Sequence, residues 1–313
     1  MRQHSYILLP AILGIFCFVS CQTSPDSESK LEVTQVKHVA DNSSSESEFN
    51  DYWYSGKAEI SSYKLSQARY GELRDGSATL IFVTEPFSKS KQVKLDYPSR
   101  ADKDKVAVLK LNFVKKFVTG VYPYSMMMST FVPVDSYNHP EPLKMTMSSQ
   151  EWCGHVFSQL NLDNNKYNLK SYSYFESEGD TDVEVDQAFL EDEIWTRIRL
   201  DHKSLPVGDI EIIPGLFHTR LKHKNYKALK AQATLDTSGD EATYEVKYKN
   251  GRELKITFGN SFPHRILSWS ETSKGIGGKK LRTTATFDKT LYIDYWNRNS
   301  NADLYLRDSL NLQ

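Results

Sequence analysis

Residues 243–258, TYEVKYKNGRELKITF, contain two runs in which apolar and polar side chains alternate around a Lys-Asn-Gly segment. This period of two is typical of β-strands that have one buried and one exposed face. The segment between the two runs is short enough to be the loop of a hairpin. The stretch therefore predicts two adjacent antiparallel strands.

The register of this hairpin follows from its apolar faces. Residues that pair across the loop must share a face, and a two-residue Asn-Gly loop would place Val246 opposite a lysine. A three-residue loop instead pairs Tyr248 with Arg252 and Val246 with Leu254. The third loop residue must then adopt the left-handed conformation, and Gly251 occupies that position. We therefore predict a hairpin that turns on three residues.

Similar alternation recurs along most of the chain, as at Leu109, Leu111 and Phe113 in VLKLNF. The other predicted strands are Ala58–Glu72, Ala78–Glu85, Gln92–Asp96, Lys115–Tyr122, Met126–Val134, Leu143–Leu160, Tyr167–Phe175, Ile210–Ile213, Leu216–Lys222, Tyr226–Leu235, Arg265–Thr272 and Leu281–Tyr292. Turns are indicated at Arg74-Asp75-Gly76, Asp163-Asn164-Asn165 and Gly275-Ile276-Gly277-Gly278. The sequence predicts a mainly β fold, with one large antiparallel sheet that is curled or barrel-like.

One segment, residues 186–200, has the period of a helix. In this stretch, DQAFLEDEIWTRIRL, the apolar residues Ile194 and Ile198 fall on one stripe. Glu193 and Arg197 have the four-residue spacing of a helical ion pair. The second half of the segment also alternates as a strand would. We expect one helix around residues 186–200.

The first twenty residues resemble an export signal. Arg2 supplies a positive charge, Tyr6–Val19 form an apolar core, and Ser20 is a small residue before a cleavage point. A membrane-spanning helix needs about 20 apolar residues, so this core is too short for one. Residues 1–20 are therefore predicted to be a signal peptide that is removed.

Cys21 follows in the context Phe-Val-Ser-Cys, which resembles the lipobox of bacterial lipoproteins, whose cysteine is acylated. Residues 21–50 are rich in Ser, Asp, Glu and Asn, a composition typical of a flexible tether. Gln22 stands where lipoproteins retained in the inner membrane of enteric bacteria have aspartate. We expect a lipid-anchored cell-envelope protein, in the outer membrane and facing the periplasm. An ordinary secretory signal is the alternative.

Residues 51–300 are predicted to form a single antiparallel β domain, with residues 301–313 as a C-terminal tail. Cys17 lies in the signal and Cys21 carries the lipid, so Cys153 has no partner for an internal disulfide. The domain must therefore depend on its hydrophobic core. The formal net charge of −1 argues against a dedicated nucleic-acid binder.

The stretch QEWCGH, residues 150–155, is the main candidate for chemistry. If the strand were continuous, Glu151, Cys153 and His155 would line one face of it. One hypothesis makes Cys153 a thiolate nucleophile, with His155 as its base and Glu151 as the residue that orients the base. The alternative is a small buried cysteine in a strand, as most free cysteines are.

A second candidate is a site for an apolar ligand. Met126, Met127 and Met128 follow Tyr124, and with Trp152 they would line an adaptable cavity if the sheet closed around a lumen. The alternative is that these side chains belong to an ordinary core. No cofactor is expected. No metal site is predicted either, because the histidines lack metal-binding spacing.

Residues 220–230, RLKHKNYKALK, are strongly basic. Such a run would suit nucleic acid or acidic lipid, but export argues against nucleic acid. We expect the solvated face and turn of a hairpin here.

Four strings resemble a family of poorly characterised flavobacterial-type lipoproteins: YWYSGKAEISSYKLSQARYGE, YPYSMMMSTF, SSQEWCGH and LEDEIWTRIRL. The resemblance covers nearly the whole chain after the tether. Members of the family are often called "septum formation inhibitor Maf". Maf nucleotide pyrophosphatases carry an N-terminal Ser-x-Ser-x-Arg signature and an α/β alternation, and this sequence has neither. The resemblance therefore implies an envelope lipoprotein and no particular activity.

Three functions remain open from the sequence. The first is a lipid-anchored cell-envelope protein whose β-rich domain binds an apolar small molecule or an envelope component. The second is an envelope hydrolase or transferase that uses Cys153 and His155. The third is a structural subunit of an outer-membrane complex. In each case the expected partner is the membrane, through the N-terminal lipid, and not nucleic acid.

Overall fold

A computed structural model describes residues 43–274 and 280–312. The predicted signal peptide, Cys21, most of the predicted tether and the predicted turn at 275–278 lie outside these residues. The strands are β1 Ala58–Arg69, β2 Glu72–Ser88, β3 Val93–Lys94, β4 Lys105–Thr119, β5 Tyr122–Pro133, β6 Lys144–Glu151, β7 Gly154–Asp163, β8 Lys166–Ser173, β9 Thr181–Asp186, β10 Phe189–Leu190, β11 Gly208–Ile213, β12 Leu229–Asp236, β13 Glu241–Tyr248, β14 Glu253–Gly259, β15 Ile266–Lys274 and β16 Lys280–Ile293. The helices are α1 Ser43–Trp53, α2 Ile194–Asp201, α3 Leu216–Lys222 and α4 Tyr305–Ser309.

All of these strands belong to one sheet. Their order across it is β10-β11-β12-β13-β14-β15-β16-β1-β2-β4-β5-β6-β7-β8-β9, with β3 on β2. Most neighbours are consecutive in the chain and antiparallel, and the short pair of β10 with β11 is parallel. The prediction of a mainly β fold with one large antiparallel sheet is confirmed.

The two edge strands of the sheet are adjacent in the chain. Strand β9 ends at Asp186 and β10 begins at Phe189, so three peptide steps of about 3.8 Å each separate the edges at this point. The edges can come this close only because the sheet curls on itself. β9 and β10 do not pair with each other, so the sheet curls without closing.

Strands β13 and β14 form the hairpin predicted from the alternation. Val246 lies opposite Leu254, and the N–H of Tyr248 donates to the carbonyl of Arg252 at 2.9 Å. Gly251 has a φ of 84°, the left-handed conformation that the three-residue loop requires. The predicted register is therefore confirmed.

The inner face of the curled sheet packs against helices α2 and α3. Trp195 of α2 and Phe217 of α3 both contact the ring of Phe113 in β4, each with ring centroids 5.2 Å apart. Trp195 also packs edge-on against Trp269 of β15 at 5.1 Å. Such aromatic pairs add to the free energy gained by burying large apolar surfaces. The core therefore lies between the sheet and these two helices.

The helix predicted over residues 186–200 is shorter than expected. Helix α2 begins at Ile194, and the predicted ion pair between Glu193 and Arg197 is present. Upstream, Phe189 and Leu190 extend along β11 as strand β10. Their backbone groups complete the sheet edge, which gives them partners that a helix start would not supply.

The strand predicted over Leu216–Lys222 is wrong, because this segment is helix α3. The N–H of Leu216 donates to the carboxylate of Asp192 at 2.7 Å, which satisfies a free donor at the helix start. Gly215 lies against the same carboxylate, and a Cβ there would come within 2.6 Å of Asp192 Oδ1. A tertiary contact thus decides a segment whose local pattern suits a strand.

Residues 143–160, predicted as one strand, form the hairpin β6–β7. Trp152 and Cys153 are its turn, and Gly154 opens β7 with its backbone against Tyr174, where a Cβ would lie 2.5 Å from the ring. The predicted turn at 74–76 lies inside β2 instead.

The described domain extends beyond both of its predicted boundaries. Helix α1 starts at Ser43, rather than at residue 51, and its Trp53 is buried against Phe82 with ring centroids 6.2 Å apart. In the predicted tail, α4 is followed by Leu310, which is buried. Both terminal segments therefore contribute apolar side chains to the packed domain.

Candidate functional site

Strand β1 connects two chemically different ends of the curled sheet. Glu59, its second residue, lies at the end covered by α1, which we term the α1 end. Arg69, its last residue, lies at the opposite end, beside α3 and the β13–β14 loop, which we term the cavity end. At a rise of about 3.3 Å per residue, the strand separates these two positions by roughly 30 Å.

The cavity end contains a cavity of about 620 Å³. Six Lys or Arg side chains line it, and among the described residues the only carboxylate in the lining is Glu271. The six cationic residues are Arg69, Lys115, Lys222, Lys224, Arg252 and Lys274. A concave surface lined by one sign of charge concentrates ions of the opposite sign, so this cavity favours anions.

Glu271 is shared between two of the cations. Its carboxylate accepts a hydrogen bond from Lys115 Nζ at 3.0 Å and lies 3.4 Å from a terminal nitrogen of Arg252. Burial by itself would raise the pKa of Glu271, but the charges of Lys115 and Arg252 lower it to about 2. The carboxylate therefore stays ionised, and its charge is already used by these two side chains.

Arg252 has a second partner behind the cavity wall. Glu191 accepts hydrogen bonds from both terminal nitrogens of the guanidinium, one of them at 2.6 Å, and from the hydroxyl of Tyr248. A bidentate guanidinium–carboxylate pair fixes direction as well as distance. Arg252 is therefore a rigid and charge-balanced part of the wall.

Lys115 is also held in place. Its side chain is only 2% exposed, and its Nζ lies 5.1 Å from the ring centroids of both Phe113 and Phe217. Cations are attracted to aromatic faces at such distances. The Lys115 ammonium thus has a fixed position at the inner end of the cavity.

Arg69 and Lys222 differ from these cations, because neither forms an ion pair with a carboxylate within residues 43–274 and 280–312. Arg69 donates to the carbonyl of Leu221 and to the hydroxyl of Tyr124, and its buried Nε has no hydrogen-bond partner there. Lys222 is half-buried. Burial, and then the charge of Arg69, lower the pKa of Lys222. These two side chains carry surplus positive charge.

His218 lines the same cavity between the cations. Burial and the charge of Arg252 lower the pKa of its imidazole to about 3. The ring is therefore neutral at physiological pH. It adds a hydrogen-bonding group to the cavity without adding charge.

The predicted catalytic residues lie around a turn rather than along one strand face. Gln150 pairs with His155, and Cys153 is in the turn. Cys153 and His155 are both exposed, and within the part of the chain that is described no hydrogen bond joins them. The assumption of a continuous strand is what fails here.

Among the described residues, Glu151 does not hydrogen-bond to His155 as a residue that orients a catalytic base would; it contacts Cys153 and Arg220 instead. Its buried side chain accepts a hydrogen bond from the N–H of Cys153 at 3.1 Å and lies 3.9 Å from Arg220. The contact with Glu151 raises the pKa of the Cys153 thiol. A nucleophilic cysteine needs a lowered pKa, so this environment does not activate the thiol. A catalytic role for Cys153 stays a prediction.

The residues predicted to bind an apolar ligand are divided between the interior and the surface. Met126, Met128 and Tyr124 are buried in the core. Met127 points to the outer face, and Trp152 is exposed at the β6–β7 turn. The five side chains do not line one common lumen, and their role in binding stays a prediction.

The described residues lack both a metal-binding cluster and a membrane-spanning helix. Among the described residues, no group of three or more His, Cys, Asp or Glu side chains has the geometry to hold a metal ion. No helix of that part is long and apolar enough to span a membrane.

The cationic cavity is the feature that the sequence pattern does not reveal. Its charged residues come from strands β1, β4 and β15, from the β13–β14 loop and from the region of α3, so no local motif contains them. The basic run at 220–230 is the one signal that points to it, since Lys222 and Lys224 belong to that run. We expected the face and turn of a hairpin there, whereas the run begins in α3.

Comparisons with known proteins add little to this description. No protein-family model matches the chain, and no curated protein matches it. One similar solved structure is the β-barrel-like protein of a domain of unknown function, DUF1849, from Brucella abortus. It is 8% identical, the alignment covers 76% of this chain and 98% of that one, and the TM-score is 0.44. A TM-score this low transfers no property from that protein to this chain.

Proposed function

We propose that this protein is a lipid-anchored cell-envelope protein that binds an anionic small molecule in the cavity at its cavity end. The observation that carries the proposal is the surplus of positive charge in the lining. Lys115 and Arg252 are balanced by Glu271 and Glu191, whereas Arg69 and Lys222 have no carboxylate partner among the described residues.

Partly buried cations without a counter-ion reduce the stability of the folded protein, because they lose water without gaining an opposite charge. A phosphate or carboxylate group in the cavity would supply that charge. The guanidinium of Arg69 and the ammonium of Lys222 are both suited to phosphate oxygens. Binding would then recover the stability that these unpaired charges cost.

The apolar part of the lining limits the ligand further. Phe217, Leu221 and Leu281 contribute apolar surface beside the cations. A small molecule with one anionic group and a short apolar portion fits this mixture better than a purely apolar ligand. The predicted apolar lumen has less support, since α2 occupies the interior next to β5, where Thr130 and Thr196 are 3.1 Å apart.

The cellular setting is the second part of the proposal. Acylation of Cys21 and location in the outer membrane facing the periplasm are supported by the signal and lipobox patterns of the sequence. Membership of the flavobacterial-type lipoproteins is supported by the four strings that resemble that family. The test is incorporation of labelled palmitate in the native host. Incorporation should occur in the wild type and be lost in Cys21→Ser, and labelling of both would exclude this lipidation site.

The binding test is a calorimetric titration of inorganic phosphate at constant ionic strength into the chain from Gln22 onward. We expect saturable binding, and a loss of about tenfold in affinity for Lys222→Gln, which corresponds to about 1.4 kcal/mol. The matched control is Lys170→Gln, which removes an exposed lysine paired with Asp182 on the outer surface. Absence of saturable heat, or an equal loss in both variants, would overturn the proposal.

A further inference from the structure

The hairpin turns at the cavity end expose large apolar side chains. Tyr70 is in the β1–β2 turn, Val121 in the β4–β5 turn, Trp152 in the β6–β7 turn and Tyr174 in the β8–β9 connection. Their exposed fractions are 47%, 77%, 69% and 65%. Single exposed apolar residues are ordinary. Here, however, four turns at the same end of the sheet each carry an exposed large apolar side chain.

These side chains form one continuous surface, which we term the aromatic rim and define as Tyr70, Val121, Tyr122, Trp152 and Tyr174. The ring of Tyr122 lies 6.3 Å from that of Trp152. The hydroxyl of Tyr70 lies 2.9 Å from that of Tyr124, the buried tyrosine of β5. It also hydrogen-bonds to Tyr122. On the other side, the turn that carries Trp152 packs its glycine against Tyr174.

Cations border the aromatic rim. The guanidinium of Arg69 lies 4.1 Å from the ring centroid of Tyr70. Lys224 and Lys274, both exposed, stand in the cavity lining at the same end. The rim therefore combines exposed Trp and Tyr side chains with adjacent Lys and Arg, next to the mouth of the cavity.

We propose that the aromatic rim is a docking surface for an anionic phospholipid bilayer. Trp and Tyr favour the membrane interface because one end of each ring is apolar and the other hydrogen-bonds to water. Lys and Arg beside them are attracted to anionic headgroups. Val121, the most exposed member, gains by entering hydrocarbon but would gain little against a sugar, which favours lipid over a glycan as the occupant.

This proposal does not depend on the ligand of the cavity. A protein that fails to bind phosphate would still dock through the rim, and a protein that binds phosphate would not have to dock. The two proposals therefore fail separately in their two experiments.

The test is co-sedimentation with vesicles of the chain from Gln22 onward, which cannot carry the predicted lipid. Vesicles of phosphatidylcholine with phosphatidylglycerol are compared with phosphatidylcholine alone. We expect sedimentation with the anionic vesicles, at least tenfold weaker association with the neutral ones, and a similar loss in the double variant Val121→Asp, Trp152→Ser. The matched control is Trp296→Ser, which changes another exposed tryptophan, in the 3-10 turn that follows β16.

Three results would overturn the proposal. The wild type would fail to sediment with anionic vesicles, or Trp296→Ser would weaken binding as much as the rim variant does. Alternatively, the rim variant would lose binding to isolated cell-wall glycan while vesicle binding stayed unchanged. Because both rim substitutions lie in exposed turns, circular dichroism should show that the double variant keeps the wild-type fold.

Discussion

The two ends of the curled sheet bury the same kinds of charged side chain in different proportions. At the α1 end, Arg199 is 0% exposed and Glu59 is 1% exposed, and the two are joined by hydrogen bonds of 2.7 and 2.6 Å. The Nε–H of Arg199 donates to the carbonyl of Pro263 at 2.8 Å. At the cavity end, cations outnumber the carboxylates that face them, and Arg69 and Lys222 are left without such a partner.

This difference separates a structural role from a functional one. A buried pair with matched charges and satisfied donors holds elements together and has no need of a ligand. A surplus of partly buried cations costs stability and contributes nothing to packing that an uncharged side chain would not. The surplus of cations in the cavity lining, compared with the matched Arg199–Glu59 pair, thus indicates where an anionic ligand would bind.

The largest expected effect is at the α1 end. Glu59→Gln leaves the guanidinium of Arg199 buried without a counter-charge, so we expect a loss of about 3–5 kcal/mol in the free energy of unfolding. Urea denaturation measures it. The double variant Glu59→Met, Arg199→Met should recover part of the loss, since it removes both charges. A loss below about 1 kcal/mol in the free energy of unfolding of Glu59→Gln would contradict the structural role given to this buried pair.

The second effect is acid sensitivity at the α1 end. His202 is buried with both ring nitrogens unpartnered within the described residues, and it packs on His264 with ring centroids 4.4 Å apart. Burial and then His264 lower the pKa of His202 to about 4, below its unfolded value near 6.5. As the pH falls, His202 is therefore protonated in the unfolded chain at a higher pH than in the folded chain.

Stability should accordingly decrease from about pH 6.5 down to pH 4, by roughly 2–3 kcal/mol from this group. His202→Phe should flatten that part of the profile of unfolding free energy against pH. An unchanged slope in the variant would show that another group controls the acid response.

The third effect has the opposite sign and belongs to the cavity end. Burial raises the pKa of Asp192 to about 7, well above its unfolded value near 3.9. The unfolded state therefore releases this proton first as the pH rises from about 4 to 7, and stability decreases over that range. Asp192→Asn keeps an acceptor for the N–H of Leu216. We expect it to be more stable than the wild type at pH 7–8, on the order of 2 kcal/mol, and similar at pH 4.

A lower stability of Asp192→Asn at pH 8 would contradict this account of the buried carboxyl. It would mean that the ionised form is needed where α3 begins.

The fourth expected effect is a small change in stability at the cavity end. Lys222→Gln removes a partly buried cation that has no ion-pair partner among the described residues, so without added anions we expect the free energy of unfolding to be unchanged or to rise by up to about 0.5 kcal/mol. Lys115→Gln removes a buried cation that pairs with Glu271 and should cost more. Thermal unfolding of the two variants side by side would show the difference, and equal losses would remove the distinction between paired and surplus cations.

The smallest effect concerns Cys153. Because the side chain is exposed, iodoacetamide should alkylate it without denaturant and without loss of stability. Contact with Glu151 raises the pKa of the thiol, so the rate should rise only above the usual thiol range of about 8.5. An inflection well below that range would instead favour the hydrolase hypothesis, and Glu151→Gln should lower the inflection slightly.

The sequence predicts those parts of the fold that depend on local pattern. The β13–β14 register follows from alternation and from Gly251, because both are local. The β6–β7 turn is missed, because Trp152 and Cys153 are not turn-forming residues and the glycine beside them is needed for the approach of Tyr174.

The segment at α3 shows a second limit. Its alternation suits a strand, but the contact of its first N–H with Asp192 and its packing on Phe113 make it a helix. The cavity shows a third limit, since Arg69 and Arg252 are far apart in the chain and line one cavity only in the folded sheet. Neither the contacts of α3 nor the lining of the cavity has a local signal in the sequence, so both can be seen only in the structure.

The central claim, that surplus cations at the cavity end bind an anion, is tested most directly by the acetylation rates of individual lysines. Mass spectrometry would follow Lys222 and, as the internal control, the exposed Lys170, with and without inorganic phosphate at equal ionic strength. We expect Lys222, whose pKa is lowered, to react readily without phosphate and several-fold more slowly with it, while Lys170 is unchanged. Equal rates for Lys222 with and without phosphate would contradict the account.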